Sequence, residues 1–430
     1  MKRILFSLII LFFGFKTQGQ WIQLNSDTAH DYSTIFFLNP DTGFICGSAY
    51  DPISFGYDGV IVRTLDGGTT WDTTHVWPNL MDIYFLNDSI GFTGGQDGAI
   101  FKTIDMGANW NFVDNIGNNN DYSNLYFTNQ DTGLFQDYLG LIILYTPLVF
   151  PSSSLILDSP ANTWIWGTGE LDFTQNIGYF AGGYGVFAKS YDQGMSWSYF
   201  NCDSNLYVFD AKMTNPNHVV IVGGTDDQWV IGDAGKSTVS FDGGLSWSSI
   251  NQFATHDIVG VDFYDDLHGY CVGGVNSLYF WTGFTPMGSI WYTNNGGMTW
   301  SFVDSSYNDQ IKDLFIVNDS LAYAAGNNGY ILKNTSHVST LGILENDNEL
   351  NIMMKPNPVR DILSIQFNNK HNHALTISIL DITGRLIKSF ELPRNENDLK
   401  FDTEFMESGI YFIRIGDERI SETRKIIKIK

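Results

Sequence analysis

The sequence predicts an all-β chain, a seven-bladed β-propeller followed by a small Ig-like β-sandwich. One turn motif recurs five times, and the wider pattern repeats at about 45 residues, the spacing of propeller blades. Aromatic content of 15% with 43 Gly and 12 Trp suits short strands joined by tight turns better than helices. Near residue 351 the repeat stops and a different strand pattern begins.

At the start, Lys2 and Arg3 precede an apolar run from Ile4 to Phe15 and then Lys16-Thr17-Gln18-Gly19. A charged start, a short apolar stretch and a small-residue end make residues 1–19 a secretory leader. The alternative, an uncleaved anchor, has too short a run for a confident span. No Cys stands near the cleavage point, which argues against a lipid-modified N-terminus. No integral membrane segment is expected once the leader is removed, since the next most apolar stretch, Leu139 to Phe150, is short and contains Pro147.

Residues 20–338 carry the repeat. Its copies are Thr64-Leu65-Asp66-Gly67-Gly68-Thr69-Thr70-Trp71, Thr103-Ile104-Asp105-Met106-Gly107-Ala108-Asn109-Trp110, Ser190-Tyr191-Asp192-Gln193-Gly194-Met195-Ser196-Trp197 and Ser240-Phe241-Asp242-Gly243-Gly244-Leu245-Ser246-Trp247. A fifth, Thr293 to Trp300, has Asn295 in place of Asp. The short Asp side chain can accept main-chain N–H groups of its own turn, the Gly two residues on can take positive φ, and the Trp packs back over the turn. Asp66, Asp105, Asp192, Asp242, Asn295 and their partners Trp71, Trp110, Trp197, Trp247 and Trp300 are therefore read as structural. A Gly-aromatic segment before each turn, as at Gly43-Phe44 and Gly269-Tyr270, extends the count to seven blades. The third blade lacks the turn and keeps only Asp158 and Trp164. The last blade stops before a Trp strand while Trp21-Ile22-Gln23 supplies one, so pairing of the two ends would close the ring.

These turns resemble the Asp-box of BNR-type and sialidase-like propellers, and the Gly-aromatic repeats resemble the photosystem II assembly factor family. The resemblance implies a propeller fold and a structural, non-catalytic place for the boxes. It does not imply sialidase activity: that chemistry needs several arginines for the substrate carboxylate, and the propeller holds only Arg63.

After a linker at 339–350, residues 351–430 read as strands around Lys355-Pro356-Asn357-Pro358-Val359, Leu363 to Phe367, a turn at Asp381-Ile382-Thr383-Gly384-Arg385, Ser408 to Arg414 and the final Lys425 to Lys430. These motifs closely resemble the type A C-terminal sorting domain of the type IX secretion system of Bacteroidetes. The resemblance implies recognition by that machinery and a secreted or surface-attached protein.

Charge narrows the function. Residues 20–340 contain 7 Lys+Arg against 33 Asp+Glu, a field that repels phosphate backbones, so nucleic acid is not an expected partner. The three cysteines, Cys46, Cys202 and Cys271, provide no disulfide framework, and Cys46 and Cys271 are expected as buried apolar residues. No metal, cofactor, nucleophile-elbow or phosphate-loop motif is present; Ca²⁺ is chemically conceivable at clustered carboxylates but no motif supports it.

Two kinds of site residue are expected. Long connections on one face carry Tyr57, Trp229, Trp281 and Trp291, candidates for contact with a glycan or protein ligand. Asp82, Asp210 and Asp313, with Asn124 matching in the third blade, share one repeat phase at the start of the innermost strands. They are weak catalytic candidates for a glycoside hydrolase or lyase, and capping of the preceding turn is the plainer reading. The leading expectation is a non-catalytic binding module, with the hydrolase or lyase as alternative.

Overall fold

A computed structural model describes residues 21–24, 30–51, 56–115, 121–137, 142–145, 155–157, 170–202, 205–224, 234–275, 285–335, 353–355, 359–366, 375–381, 385–392, 398–416 and 421–429. The chain divides into two compact units, residues 1–342 and 343–430. Both are built from antiparallel strands, and the one helical turn among the described residues is the 3₁₀ segment Gln96–Gly98.

Among the described residues the strands of the first unit make seven four-stranded antiparallel blades, the fourth and fifth joined into one eight-stranded sheet through Gly183 opposite Val208 and Tyr184 opposite Tyr207; the first six follow the chain from the innermost strand outward. The innermost strands are Asp31–Phe37, Leu80–Phe85, Tyr122–Asn129, Glu170–Thr174, Tyr207–Asn215, Ile258–Phe263 and Ile311–Asn318. Each packs against the innermost strand of the next blade, and the last returns to the first. Ile22–Gln23 completes the seventh blade by pairing with Ile331–Asn334, Ile22 opposite Lys333 and Gln23 opposite Leu332. The expected joining of the two ends is thus present. Trp21 is buried beside it, edge-on to Tyr270 with ring centroids 5.3 Å apart.

Apolar side chains fill the space between neighbouring blades. The second strand of each blade supplies much of this core: Phe44, Phe92, Phe135, Tyr179, Tyr270 and Tyr323 are fully buried. Phe92 stacks on Phe127 of the next blade at 3.5 Å, and Phe37 on Tyr323 of the previous one at 3.9 Å. Such stacked ring pairs add to the burial of apolar area. Cys46 and Cys271 are buried free thiols within this core.

The five repeat turns sit on the outer half of their blades. In the first, the Thr64 hydroxyl donates to Asp66 Oδ1 at 2.9 Å and accepts the Gly68 N–H at 2.8 Å. Asp66 Oδ1 also accepts the Thr70 N–H at 2.8 Å. The bonds recur at Asp105, Asp192 and Asp242. Asn295 reproduces them, its Oδ1 accepting the Thr299 N–H at 3.0 Å while its Nδ2 donates to the Thr299 hydroxyl at 2.8 Å. Gly68, Gly107, Gly194, Gly244 and Gly297 all have positive φ, from 71° to 96°. Asp158 and Trp164 lie outside the described residues.

The second unit comprises a three-stranded sheet, Met353–Lys355, Ile362–Gln366 and Asp398–Asp402, and a four-stranded sheet, Leu386–Leu392, Leu375–Asp381, Gly409–Gly416 and Ser421–Lys428. Leu363, Ile365 and Phe401 of one share a core with Ile377, Ile379 and Ile413 of the other.

Candidate functional site

The innermost strands enclose a cavity of about 680 Å³ on the axis of the propeller. Side chains alternate along a strand, so residues two apart share a face. Strand register therefore sorts the lining into two tiers. The first contains Thr34, Asp82, Asn124, Glu170, Asp210 and Asp313, opposite Cys46, Gly94, Gln136, Ala181, Val222 and Ala325 respectively. In the sixth blade the same place falls to Gly260, opposite Val272. A Cβ there would come within 2.9 Å of the Lys312 carbonyl oxygen, so glycine lets the seventh blade pass close.

Two residues along lies the second tier. On one side it is aromatic: Phe315, Phe36, Tyr84 and Tyr126 form an arc with successive ring centroids 5.3, 6.1 and 4.9 Å apart. On the other side stand Asp172, Lys212 and Asp262, with Lys212 Nζ 2.9 Å from Asp262 Oδ1. The lining extends from the strand starts, at Asp257, Gln310 and Lys312, to this second tier and no farther along the strands. The cavity is a cup whose floor is half aromatic and half ionic.

The aspartates of the wall tie blades together. Asp82 Oδ2 accepts the Leu125 N–H of the third blade at 2.8 Å, and its Oδ1 accepts the Ile83 N–H at 2.7 Å. Asp210 holds Val261 of the sixth blade at 2.6 Å, and Asp313 holds Ile35 of the first at 2.9 Å. Each reaches the residue after the first-tier position of the next blade. Asp262 does the same one tier down, accepting the Ile316 N–H at 2.8 Å. Between the first two blades Thr34 supplies the link, its hydroxyl donating to the Met81 carbonyl at 2.8 Å. These contacts are inter-blade clasps rather than caps of the preceding turn.

Crowding shifts their acidity. Burial pushes Asp82 up to about 7, against the pull of the Leu125 and Ile83 N–H groups and with help from Asp313 and Asp172. Asp313 is likewise raised to about 7 by burial. Asp210 and Glu170 are also raised well above the ordinary carboxyl range, by burial and then by neighbouring carboxylates. Burial opposes the charge on Lys212, yet Asp262, Asp172 and Glu170 together hold its pKa above the ordinary value. Asp82, Asp210 and Asp313 are half-buried and border the cup.

The expected aromatic contacts distribute differently. Tyr50 and Tyr57 face each other across the first blade's second hairpin, centroids 5.5 Å apart, and are 55% and 44% exposed. They stand at strand ends, not in a loop. Trp291 also lies within a strand, Met287–Thr293, with Phe253 and Phe302 edge-on at 5.3 Å each and its indole N–H donated to Ser289. Trp229 and Trp281 fall outside the described residues. Sequence reasoning passed over Trp77, 68% exposed after the first blade's outer strand. It also passed over the floor of the cup. Glu170-x-Asp172 and Asp210-x-Lys212 carry the signal that would have found it, two ionisable residues at strand spacing.

Among the described residues no group of three His, Cys, Asp or Glu side chains is placed to hold a metal ion, and no helix is long and apolar enough to cross a membrane.

Comparison with known proteins fits this architecture. Residues 354–430 match the family described as Secretion system C-terminal sorting domain. No curated protein matches the chain. Among solved structures it is similar to YCF48 bound to D1 peptide, at 12% identity over 74% of this chain and 96% of that one, TM-score 0.53. YCF48 from Cyanidioschyzon merolae gives 15% identity, 73% and 98% coverage and TM-score 0.53. The WD40 repeats of RRP9 give 12% identity, 73% and 97% coverage and the same score. At these identities the likeness establishes fold. The class is an all-β propeller carrying a sorting tail. Its C-terminal segment is a type IX secretion sorting domain, which directs the protein to the cell surface or beyond.

Proposed function

We propose that this chain is an exported, non-catalytic binding propeller that engages a glycan or protein ligand through the face onto which the cup opens. The reading includes removal of residues 1–19 as a leader on the way to the outer membrane, where the tail is recognised. What carries it is the use of the wall aspartates: Asp82, Asp210 and Asp313 each spend both oxygens on main-chain N–H groups. A general acid must be free to swing toward a substrate and trade its proton. A peptide ligand is compatible with the fold, since one structural neighbour is described as bound to one. The exposed Tyr50, Tyr57 and Trp77 offer amphipathic rings of the kind that stack on sugars or peptides.

One observation favours hydrolysis: carboxyls raised to about 7, as at Asp82 and Asp313, suit acid–base work near neutral pH. The test takes the full chain through polysaccharide pull-down and chromogenic glycoside turnover in parallel. Capture lost in a Tyr57→Ala/Trp77→Ala variant, without turnover, is the expected result. Turnover abolished by Asp82→Asn would overturn the non-catalytic reading.

A further inference from the structure

The carboxylates alone do not mark a ligand site, because clasping blades accounts for them. The aromatic arc packs on one side against the inter-blade core and on the other lines the cavity. Phe36, Tyr84, Tyr126 and Phe315 are half-buried and form the aromatic half of the floor of a void of about 680 Å³. A cavity of that size, with an apolar wall and a few convergent polar groups, has the make-up of a small-ligand pocket.

We propose that the cup binds an organic cation carried on an apolar stem, the chemistry of an arginine or lysine side chain. The inference rests on the reading of the propeller as a binding module and names what its axial pocket takes. The stem lies along the arc, where it sheds water and its charged head meets the negative faces of the rings. Tyr84 and Tyr126, 4.9 Å apart, are the closest pair of rings on that surface. The head then faces the first tier. Each oxygen of Asp82, Asp210 and Asp313 uses one acceptor site on a main-chain N–H, and an ionised carboxylate offers about four in all.

Charge selects the sign of the ligand. The lining holds seven carboxyl groups against Lys212 and Lys312, and Lys212 is committed to Asp262. An anion would meet that field, and a neutral molecule would gain little from it. A cation would do more than be attracted. Its charge favours the ionised form of groups that burial and mutual repulsion hold partly protonated, so binding expels protons from the wall.

Proton release makes the test specific. The full chain is titrated by calorimetry with n-butylguanidinium and n-butylammonium near pH 7, in two buffers of different ionisation enthalpy. Pentanol and butyrate serve as neutral and anionic controls of similar length. Expected are dissociation constants on the order of 1 mM or tighter for the cations, at least tenfold weaker binding of both controls, and a buffer-dependent enthalpy reporting proton release. Tyr126→Leu should weaken the cations about tenfold. A capped Ala-Arg-Ala peptide binding tenfold tighter than butylguanidinium assigns the cation to a protein partner; equal binding assigns it to free amines.

Cations that bind no better than pentanol, or bind without releasing protons, would overturn the inference on the wild-type protein alone. The outcome separates from that of the broader reading. Glycan or protein capture that persists while the cations fail removes the cup as the site and leaves the binding module standing.

Discussion

The propeller uses aspartate in two places, and the same side chain behaves oppositely in each. On the outer turns Asp66, Asp105, Asp192 and Asp242 accept N–H and hydroxyl donors within one turn while facing water. Their pKa values fall, Asp105 to about 2, led by the Asn109 side chain and main chain. On the inner wall Asp82 and Asp313 each accept two main-chain N–H groups against one at an outer turn, yet rise to about 7 because burial outweighs the bonds and neighbouring carboxylates add to it. Hydrogen bonds favour the anion in both places, and only on the inner wall does the loss of water outweigh them. The outer aspartates are local staples. The inner ones are structural clasps that hold a reserve of charge.

The sharpest way to break that contrast is Asp262→Ala. It removes the acceptor of the Ile316 N–H and the ion-pair partner of Lys212 together, leaving a half-buried cation with only Asp172 and Glu170 to balance it. A loss of about 3–5 kcal/mol is expected, read from the denaturant midpoint. A loss no larger than that of a turn aspartate would show that the inner set does not clasp the ring. Asp313→Ala frees the Ile35 and Leu314 N–H groups but also relieves repulsion within the wall, so its cost is smaller, about 1–3 kcal/mol.

Titration sharpens the same comparison. The folded pKa values of Asp82 and Asp313 lie above that of an unfolded aspartate, so the native state binds more protons than the unfolded one between pH 4 and 7. Their contribution is complete below the unfolded pKa and is lost as pH rises through the folded one. The groups facing Asp82 are Asp313, Asp172 and the Leu125 and Ile83 N–H groups; those facing Asp313 include Asp262 and Lys212. Thermal midpoints should therefore fall from pH 5 to pH 8, and an Asp82→Asn/Asp313→Asn variant should flatten the slope. A midpoint that climbs over that range would contradict the raised values.

Much of the ring was legible because its signals are local. Each outer turn lies within eight residues, and the matching of Trp21-Ile22-Gln23 to the unfinished seventh blade needed only a count of strands. The shared phase of Asp82, Asn124, Asp210 and Asp313 was legible for the same reason. Their role was not, because the N–H that each holds belongs to another blade, 278 residues away for Asp313 and Ile35. Asp262 was missed because Gly260 occupies the first-tier place in its blade and moves the clasp two residues on. Lys212 was missed because its partner Asp262 belongs to the next blade, 50 residues on, and only closure of the ring brings the two together. Trp291 read as a loop aromatic because a long insertion precedes it, yet its strand pairing continues from Met287.

The smallest effect expected is the most discriminating. Asn295 already shows that an amide can serve an outer turn: its oxygen takes the Thr299 N–H, and its nitrogen donates to the hydroxyl that an aspartate would accept. At Asp242 only Oδ1 receives a main-chain N–H, that of Ser246, while Oδ2 receives the Ser246 hydroxyl, which can rotate and become an acceptor. Asp242→Asn should therefore change stability by no more than about 0.5 kcal/mol. The same change at Asp210 must fail to serve one of two main-chain donors, Ala211 or Val261, because the amide has a single acceptor oxygen. A cost of about 1–3 kcal/mol follows, offset in part by the removed charge. Equal midpoints for the two variants would mean that the second clasp bond contributes nothing, and the distinction between staple and clasp would collapse into one of burial alone.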